Sequence, residues 1–341
     1  MIILGIETSC DETSASLIKA EKGGKKVELL TNVISSSLDL HAKTGGIIPE
    51  IAAREQVKFI LPVIKNAIKN LKKPKEEIDA IAVTVGPGLI GSLLVGVETA
   101  RTFAYAWDKP IIAVNHLFGH IYANWIKSDD KRDIEFPAIA LIVSGGHTDL
   151  VLIKKHKETI WLGGTRDDAA GEAFDKTGRI LGLPYPAGPL IEKLAEKTDV
   201  DIYNFPRPLH DSKDFDFSFS GLKTAVLREV EKKKKLNEKE ISQICFALQN
   251  AIFDILIQKT FAAIEKYHAK SLLLGGGVAA NQTLKKKFET EILNSKLAVK
   301  FFIPDKKLCT DNAAMIATAG FFNHELKNWK DVSANPELYF D

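Results

Sequence analysis

The feature that most restricts the fold is an internal repeat. IILGIETSCDETSASLIK near the start and AIALIVSGGHTDLVLIKK near the middle each read as an apolar strand, a small polar turn and a second apolar strand. A second pair keeps the same order, because DAIAVTVGPGLIG and KSLLLGGGVAAN each run an apolar strand into a glycine turn and a helical pattern. Two copies of one α/β unit satisfy both repeats. The length agrees, since 341 residues exceed one ordinary domain of roughly 100 to 200 residues. The expected division places 1–115 with about 311–341 in a first domain and 116–310 in a second, the two flanking a central cleft.

Apolar runs predict strands at 2–7, 13–19 and 27–35, then a helix from near Pro49. In that helix Val57, Ile60, Leu61, Ile64, Ile68 and Leu71 recur at helical spacing, with a local kink at Pro62. A strand at 79–85, a glycine turn, a helix to about Trp107 and a strand at 110–114 complete one βββαβαβ round. The second round opens after Pro137 with the strands AIALIVS, TDLVLIK and TIWL, then a long helix over 241–267 and the strand SLLLG. A last helix over 311–326 is expected to pack back on the first domain, and the acidic and aromatic tail to Asp341 carries no periodic pattern. Residues 80–97 are uncharged and about as long as a membrane span, but Gly86, Pro87 and Gly88 interrupt them; strand, turn and buried helix explain them better, and no membrane segment is expected.

A formal net charge of +2 does not mark a strongly basic nucleic-acid binder, so any polyanion has to be met by local patches. Lys232, Lys233, Lys234 and Lys235, like Lys285, Lys286 and Lys287, read as solvated helix faces. Cys10, Cys245 and Cys309 are dispersed and form no CxxC pair, which fits a reducing compartment. The opening MIILGIETSCDE lacks the basic region of a signal peptide, so a cytoplasmic protein is expected.

The sharpest chemical signal is NHLFGH. His116 and His120 lie four apart, on one helix face, at a spacing that lets both imidazoles reach one metal ion. Leu117 and Phe118 leave no carboxylate inside the pair, so this is not the HExxH helix of zinc proteases. Asp311 in KLCTDNAAMIA is the attractive third ligand, with helix N-capping as its ordinary role. The tip Ser144, Gly145, Gly146, His147, Thr148 offers bare backbone amides to a phosphate or carboxylate, and Thr8, Ser9, Cys10 and Asp11 form its counterpart in the first round. In GGTRDDAAGEAFDK the acids Asp167, Asp168, Glu172 and Asp175 suit ribose hydroxyls or a cation, or else simply favour a helix N-terminus. LLLGGGVAANQTL lets a ligand approach a helix that begins near Asn281. Gly86, Gly88 and Gly91 formally spell GxGxxG, but no acid ends the following strand, which argues against a dinucleotide fold. Neither GxxxxGK[ST] nor GxSxG occurs, and Lys223 in SFSGLKT is either a phosphate contact or a surface lysine.

Taken together, ETSCDETS, GGIIPEIAARE, GPGLIGSLLVG, NHLFGH, VSGGHT, DDAAGEAFDK, FSFSGLKT, GGGVAAN and CTDNAAMIA resemble the TsaD family, the tRNA N6-adenosine threonylcarbamoyltransferases, over residues 1 to about 320. The resemblance implies duplicated actin-like domains of the sugar kinase and Hsp70 (ASKHA, RNase H-like) type. It implies transfer of threonylcarbamoyl from threonylcarbamoyl-AMP to N6 of adenosine 37 in tRNAs reading codons that begin with A. By motif His116, His120 and Asp311 would hold Fe2+, with Zn2+ a substitute. Ile142, Val143, Ser144, Gly145 and Gly146 would lie against the acyl-adenylate, and Asp175, Gly188 and Asn281 would hold its adenosine. An inactive TsaB-like paralogue, a small TsaE-like P-loop ATPase and a separate adenylate-forming enzyme are the implied partners. The chain departs from the family pattern at Phe118, where many bacterial relatives carry Glu, and at Gln56 for His, Ala187 for Gly and Ala280 for Ser.

The implied reaction is a metal-assisted acyl transfer in which amides at Gly145 and Gly146 meet developing charge. Asp11 and His147 are the candidates for a base. Three other readings stay open: a metallopeptidase, weakened by the missing helix glutamate; a sugar or acetate kinase on the same fold; and a nucleotide-binding scaffold, against which the histidine pair and Asp311 count.

Overall fold

The computed structural model describes residues 1–341 except Lys234, His324 and Asp341, so one lysine of the 232–235 run lies outside the described residues. The chain forms two compact units, Met1–Asp133 with Pro304–Asp341, and Ile134–Ile303.

The first unit begins with β1 (Ile2–Glu7), β2 (Glu12–Lys19) and β3 (Glu28–Ser36), an antiparallel meander. Then come α1 (Leu38–Thr44), α2 (Pro49–Ile68), α3 (Pro74–Glu77), β4 (Ala80–Gly86), α4 (Ile90–Trp107), β5 (Ile111–Asn115) and α5 (His116–Tyr122). β4 pairs parallel to β1, and β5 parallel to β4. Residues 80–97 are therefore a buried strand, a turn and the start of α4, as their glycines suggest. α2 is one helix across Pro62, which sits on the exposed side while Ile60, Val63, Ile64 and Ala67 are buried. Those buried side chains fasten the helix to the sheet and keep it whole.

The second unit repeats the plan. β6 (Ala138–Val143), β7 (Thr148–Lys155) and β8 (Glu158–Gly164) form an antiparallel meander. α6 (Ala170–Ile180), α7 (Gly188–Ala195), α8 (Ser220–Glu231) and α9 (Glu238–Tyr267) follow. β9 (Ser271–Gly275) pairs parallel to β6; α10 (Gln282–Asn294) leads to β10 (Lys300–Phe302), parallel to β9. The chain then returns to the first unit with α11 (Lys306–Cys309), α12 (Ala313–Asn323) and β11 (Leu326–Lys327).

Strand order is β11-β5-β4-β1-β2-β3 in the first sheet and β10-β9-β6-β7-β8 in the second. Leaving aside β11, the two orders are the same, so the sequence repeat is a repeat of topology. Each sheet has its own core. Leu4, Ile6, Leu17, Ile64, Val83 and Val97 are among the buried side chains of the first. Ile139, Leu141, Leu152, Phe217, Leu248, Phe253 and Leu274 belong to the second. Among the described residues one helix, α9, is long and apolar enough to cross a membrane, and most of its apolar stretch is buried in that second core.

Two expectations need correction. Residues 116–133 and 304–310 belong to the first unit, because α5 packs on α12 and residues 125–127 bond to Val27 through Val27 N to Trp125 O (2.9 Å) and Lys127 N to Val27 O (2.8 Å). The last helix is also shorter than 311–326. It starts at Ala313, where Asn312 Oδ1 accepts from Met315 N (3.1 Å), and Leu326 and Lys327 instead pair antiparallel with β5.

α12 lies against β1 through a notch. A Cβ on Gly5 would sit 2.3 Å from the Ala313 carbonyl oxygen, backbone that cannot step aside. Gly5→Ala is expected to cost about 1–3 kcal/mol, the range for overpacking a filled core, read as a lower denaturant midpoint; an unchanged midpoint would show that α12 is free to shift.

Candidate metal centre and nucleotide loops

β5 runs straight into α5, and Asn115 caps the helix by accepting from Leu117 N (2.8 Å). His116 and His120 therefore project from successive turns of a helix whose start is fixed. Both are buried, and their rings lie 4.7 Å apart. α12 delivers the third group: a Cβ on Gly119 would meet Ile316 Cδ1 at 2.7 Å and Met315 Cγ at 3.1 Å, so this glycine lets α5 and α12 approach closely. Asp311, just before α12, reaches both rings, with Oδ1 3.5 Å from His116 Nε2 and 3.3 Å from His120 Nε2. The three side chains predicted as ligands thus converge, each with one donor atom within 4.8 Å of the others.

Glu7 supports them, and its role was not read from the sequence. Its fully buried carboxylate accepts from Ser9 N and from Thr84 Oγ1 (2.6 Å), and its Oε2 lies 3.0 Å from His116 Nδ1. A carboxylate on Nδ1 fixes the ring and leaves Nε2 facing Asp311, as second-shell partners of metal-bound histidines do. The available signal was an acid ending an otherwise apolar strand, IILGIE.

Burial opposes a charge on His116, but Asp311 and Glu7 outweigh it and raise its pKa to about 9. Burial, aided by the neighbouring His116, holds His120 below its usual value, so it is a neutral imidazole despite Asp311. Its Nδ1 and Nε2 are buried without an aligned hydrogen bond. A buried lone pair without a donor normally costs stability. Two imidazoles and one carboxylate oxygen are a donor set for a divalent transition metal, with coordination positions left for other groups. The residues therefore fit a metal ion.

The hairpin tip after β1 is the most constrained turn nearby. Gln56 Nε2 lies within hydrogen-bond distance of the carbonyls of Thr8 (3.2 Å), Cys10 (2.9 Å) and Glu12 (3.1 Å). Leu89 N bonds to Ser9 O (2.8 Å), and Ser37 Oγ to Asp11 O (2.8 Å). This clamp holds Asp11, a suggested base, in a buried position beside Glu12. Burial, with Asp311 and Asp11 close by, lifts the Glu12 carboxyl well above the usual range. Glu12 is a second residue the sequence reading missed. Gly86, Gly88 and Gly91 prove to be packing positions: side chains there would meet Asn335 O, Ser9 O and Ala53 Cβ, respectively.

The second unit carries the bare tip. Ser144 N bonds to His147 O (2.9 Å), and Gly145 and Gly146 are exposed with open space around them. Ile142 and Val143 are fully buried in β6, so they can offer a ligand only backbone. The start of α6 and the loop after β9 press on this tip: a Cβ on Gly171 would be 2.4 Å from Ser144 O, and one on Gly276, where φ is +92°, 2.3 Å from Val143 O. Asp175 Oδ1 accepts from Ala187 N (2.8 Å) and the carboxylate also from Gly188 N, fixing the start of α7; burial nonetheless raises its pKa. Asn281 caps α10 through Leu284 N (2.9 Å) and donates to Gln249 Oε1 (3.2 Å). The remaining acids of the DDAAGEAFDK run have structural work: Asp167 caps α8 at Phe219 N (2.7 Å), Asp168 pairs with Lys176, and Glu172 accepts from Ala169 N (3.0 Å) at the start of its own helix. Lys223 is exposed on α8.

A family model for TsaD, tRNA N6-adenosine threonylcarbamoyltransferase, matches residues 28–318. The chain belongs to the TsaD family. A relative from Thermosipho africanus with that name is 49% identical over 321 residues, 94% of each chain. Those from Syntrophomonas wolfei and Bacillus subtilis are 45% identical over 98% and 99% of this chain and 96% and 95% of their own. Among solved structures, HypF aligns with a TM-score of 0.55 at 12% identity over 93% of this chain and 54% of its own. Component A of the Acidaminococcus fermentans (R)-2-hydroxyglutaryl-CoA dehydratase aligns at 0.51 and 13%, over 93% and 96%. At such identities these two speak for the shared actin-like fold alone, which this TsaD-family chain builds twice.

Because His116 keeps its proton up to about pH 9 in the metal-free protein, a cation has to displace it at neutral pH. The apparent Zn2+ affinity is expected to rise by up to about tenfold per pH unit from neutrality and to level off near pH 9. Isotherms at several pH values check this; an affinity flat across that interval would contradict it.

Proposed function

We propose that this chain is a cytoplasmic acyltransferase that moves the threonylcarbamoyl group of threonylcarbamoyl-AMP to N6 of adenosine 37 in tRNAs reading codons that begin with A. The observation that carries the reading is 45–49% identity, along nearly the whole chain, to curated relatives named for this reaction. In the transfer the N6 amine attacks the carbamoyl carbonyl carbon. A C–N bond forms, the acyl–phosphate C–O bond breaks, AMP leaves with the electron pair, and the amine gives up one proton. Asp11 and His147 are the side chains proposed to accept it.

His116, His120 and Asp311 would hold Fe2+, with Zn2+ as a substitute; the donor set and its convergence, with donor atoms within 4.8 Å of one another, support this. Such an ion supplies Lewis acidity toward an acyl oxygen. In the second unit Gly145 and Gly146 are exposed residues, and their backbone amides are suited to an anionic phosphate or developing oxyanion. Ile142, Val143 and Ser144 would line the acyl-adenylate through backbone, while Asp175, Gly188 and Asn281 would bound the adenosine. An exocyclic amine is a weak nucleophile, so holding both substrates in register should supply much of the rate.

The TsaB-like paralogue and TsaE-like ATPase are proposed as partners. A paralogue needs an apolar surface, and α2 and α4, which pack together, expose Val57, Leu61, Ile90 and Leu94. A near-neutral charge of +2 supports tRNA binding shared among subunits. A peptidase is disfavoured because Leu117 and Phe118 put no carboxylate between the histidines of α5.

The test incubates the metal-loaded chain and its partners with threonylcarbamoyl-AMP and unmodified tRNA, followed by nucleoside mass spectrometry. Modified adenosine is expected, and His120→Ala should lower its formation at least about 100-fold, as loss of a metal ligand does more harm than the 10–100-fold typical of an outer-shell partner. Absence of product with intact metal would overturn the assignment.

A further inference from the structure

The segment 332–340, which carries no pattern in the sequence, is tied to the helix that bears the histidines. Asn335 N bonds to Val85 O at the end of β4 (2.7 Å), and Gly88 N to Pro336 O (3.4 Å). Gly86 leaves room for this: a Cβ there would lie 1.8 Å from Asn335 O and 2.9 Å from Leu338 Cβ. Leu338 packs against the first core. The segment then reaches α5. Asn115 Nδ2 donates to Tyr339 O, and the Phe340 ring meets Phe118 edge-on with centroids 5.5 Å apart.

Asn115 has two tasks at once. Its Oδ1 caps α5, and its Nδ2 is fastened by the tail, so the amide cannot rotate without losing one bond. α5 is gripped through Gly119 by α12 and through Asn115 and Phe118 by residues 339 and 340. His116 is the first residue of that helix and His120 lies one turn on, so any rotation of α5 moves both imidazoles away from Asp311. Phe118 lies between the two histidines on α5, and its ring is the one that Phe340 meets.

We propose that residues 335–340 are a positioning element for the metal centre: they lock the Asn115 cap and the Phe118 face of α5, and so set the separation of His116 and His120 from Asp311. The proposal rests on the reading of these three residues as metal ligands. None of the tail residues is expected to touch the ion.

Two variants of the full chain test it, a deletion of 335–341 and Phe340→Ala, each measured for Zn2+ affinity and for amide hydrogen exchange across α5 in the metal-free protein. The deletion is expected to weaken Zn2+ binding about tenfold or more, within the effect of outer-shell partners, and Phe340→Ala about threefold, with faster exchange at residues 117–122 in both. Should the deletion not fold, Phe340→Ala alone decides, and Phe118→Ala should then add nothing to it in the double variant. Unchanged affinity together with unchanged exchange in a folded variant would overturn the proposal. Failure of the parent chain to bind Zn2+ would instead remove the ligand reading, and the exchange data would still show whether the tail holds α5.

Discussion

The close approach of α5 to α12 is the constraint on which the rest depends. Two glycines make it: Gly5 lets the start of α12 settle on β1, and Gly119 lets α5 press against Met315 and Ile316. With these contacts, residues nearly two hundred positions apart in the chain present two buried imidazoles and a partly exposed carboxylate to one another. Such an arrangement is expensive to build, because buried polar atoms need partners. Glu7 and Ser9 supply them for His116, and Thr84 in turn holds Glu7, whereas His120 has only Asp311 beside Nε2.

Duplication accounts for the other half of the chemistry. The same strand–turn–strand device closes each unit, yet the two tips have diverged. The first is clamped, its carbonyls taken up by Gln56, Leu89 and Ser37, and it displays acids. The second is bare at its tip, where Gly145 and Gly146 are exposed. The same strand–turn–strand device thus carries different turn residues and different packing in the two units.

Much of this was legible in the residues, and the reasons are physical. Strand runs of near-continuous apolar residues, such as AIALIV and SLLLG, read as buried strands because every residue of these two strands is buried. The HxxxH spacing was informative because helix geometry fixes which side chains share a face. Other features depend on contacts that no local pattern carries. Glu7 is defined by what surrounds the end of β1, Glu12 by the proximity of Asp311, and the capping duties of Asp167 and Glu172 by segments far away or by one helical turn. The boundary near residue 115 was misplaced for the same reason: the chain leaves the sheet there, but α5 stays packed on the first unit. The C-terminal tail was opaque because it is held by backbone bonds to Val85 and Gly88 rather than by periodic side chains.

The central claim is that His116, His120 and Asp311 are the ligands of one resident ion. X-ray absorption spectroscopy of the Fe2+- or Zn2+-loaded protein tests it most directly, since scattering from imidazole, carboxylate oxygen and thiolate sulfur differ. The account predicts two imidazole nitrogens with the remaining ligands oxygen, and loss of one imidazole shell in His120→Ala. Sulfur scattering, which would bring in Cys10 or Cys309, or an unchanged first shell in that variant, would contradict it.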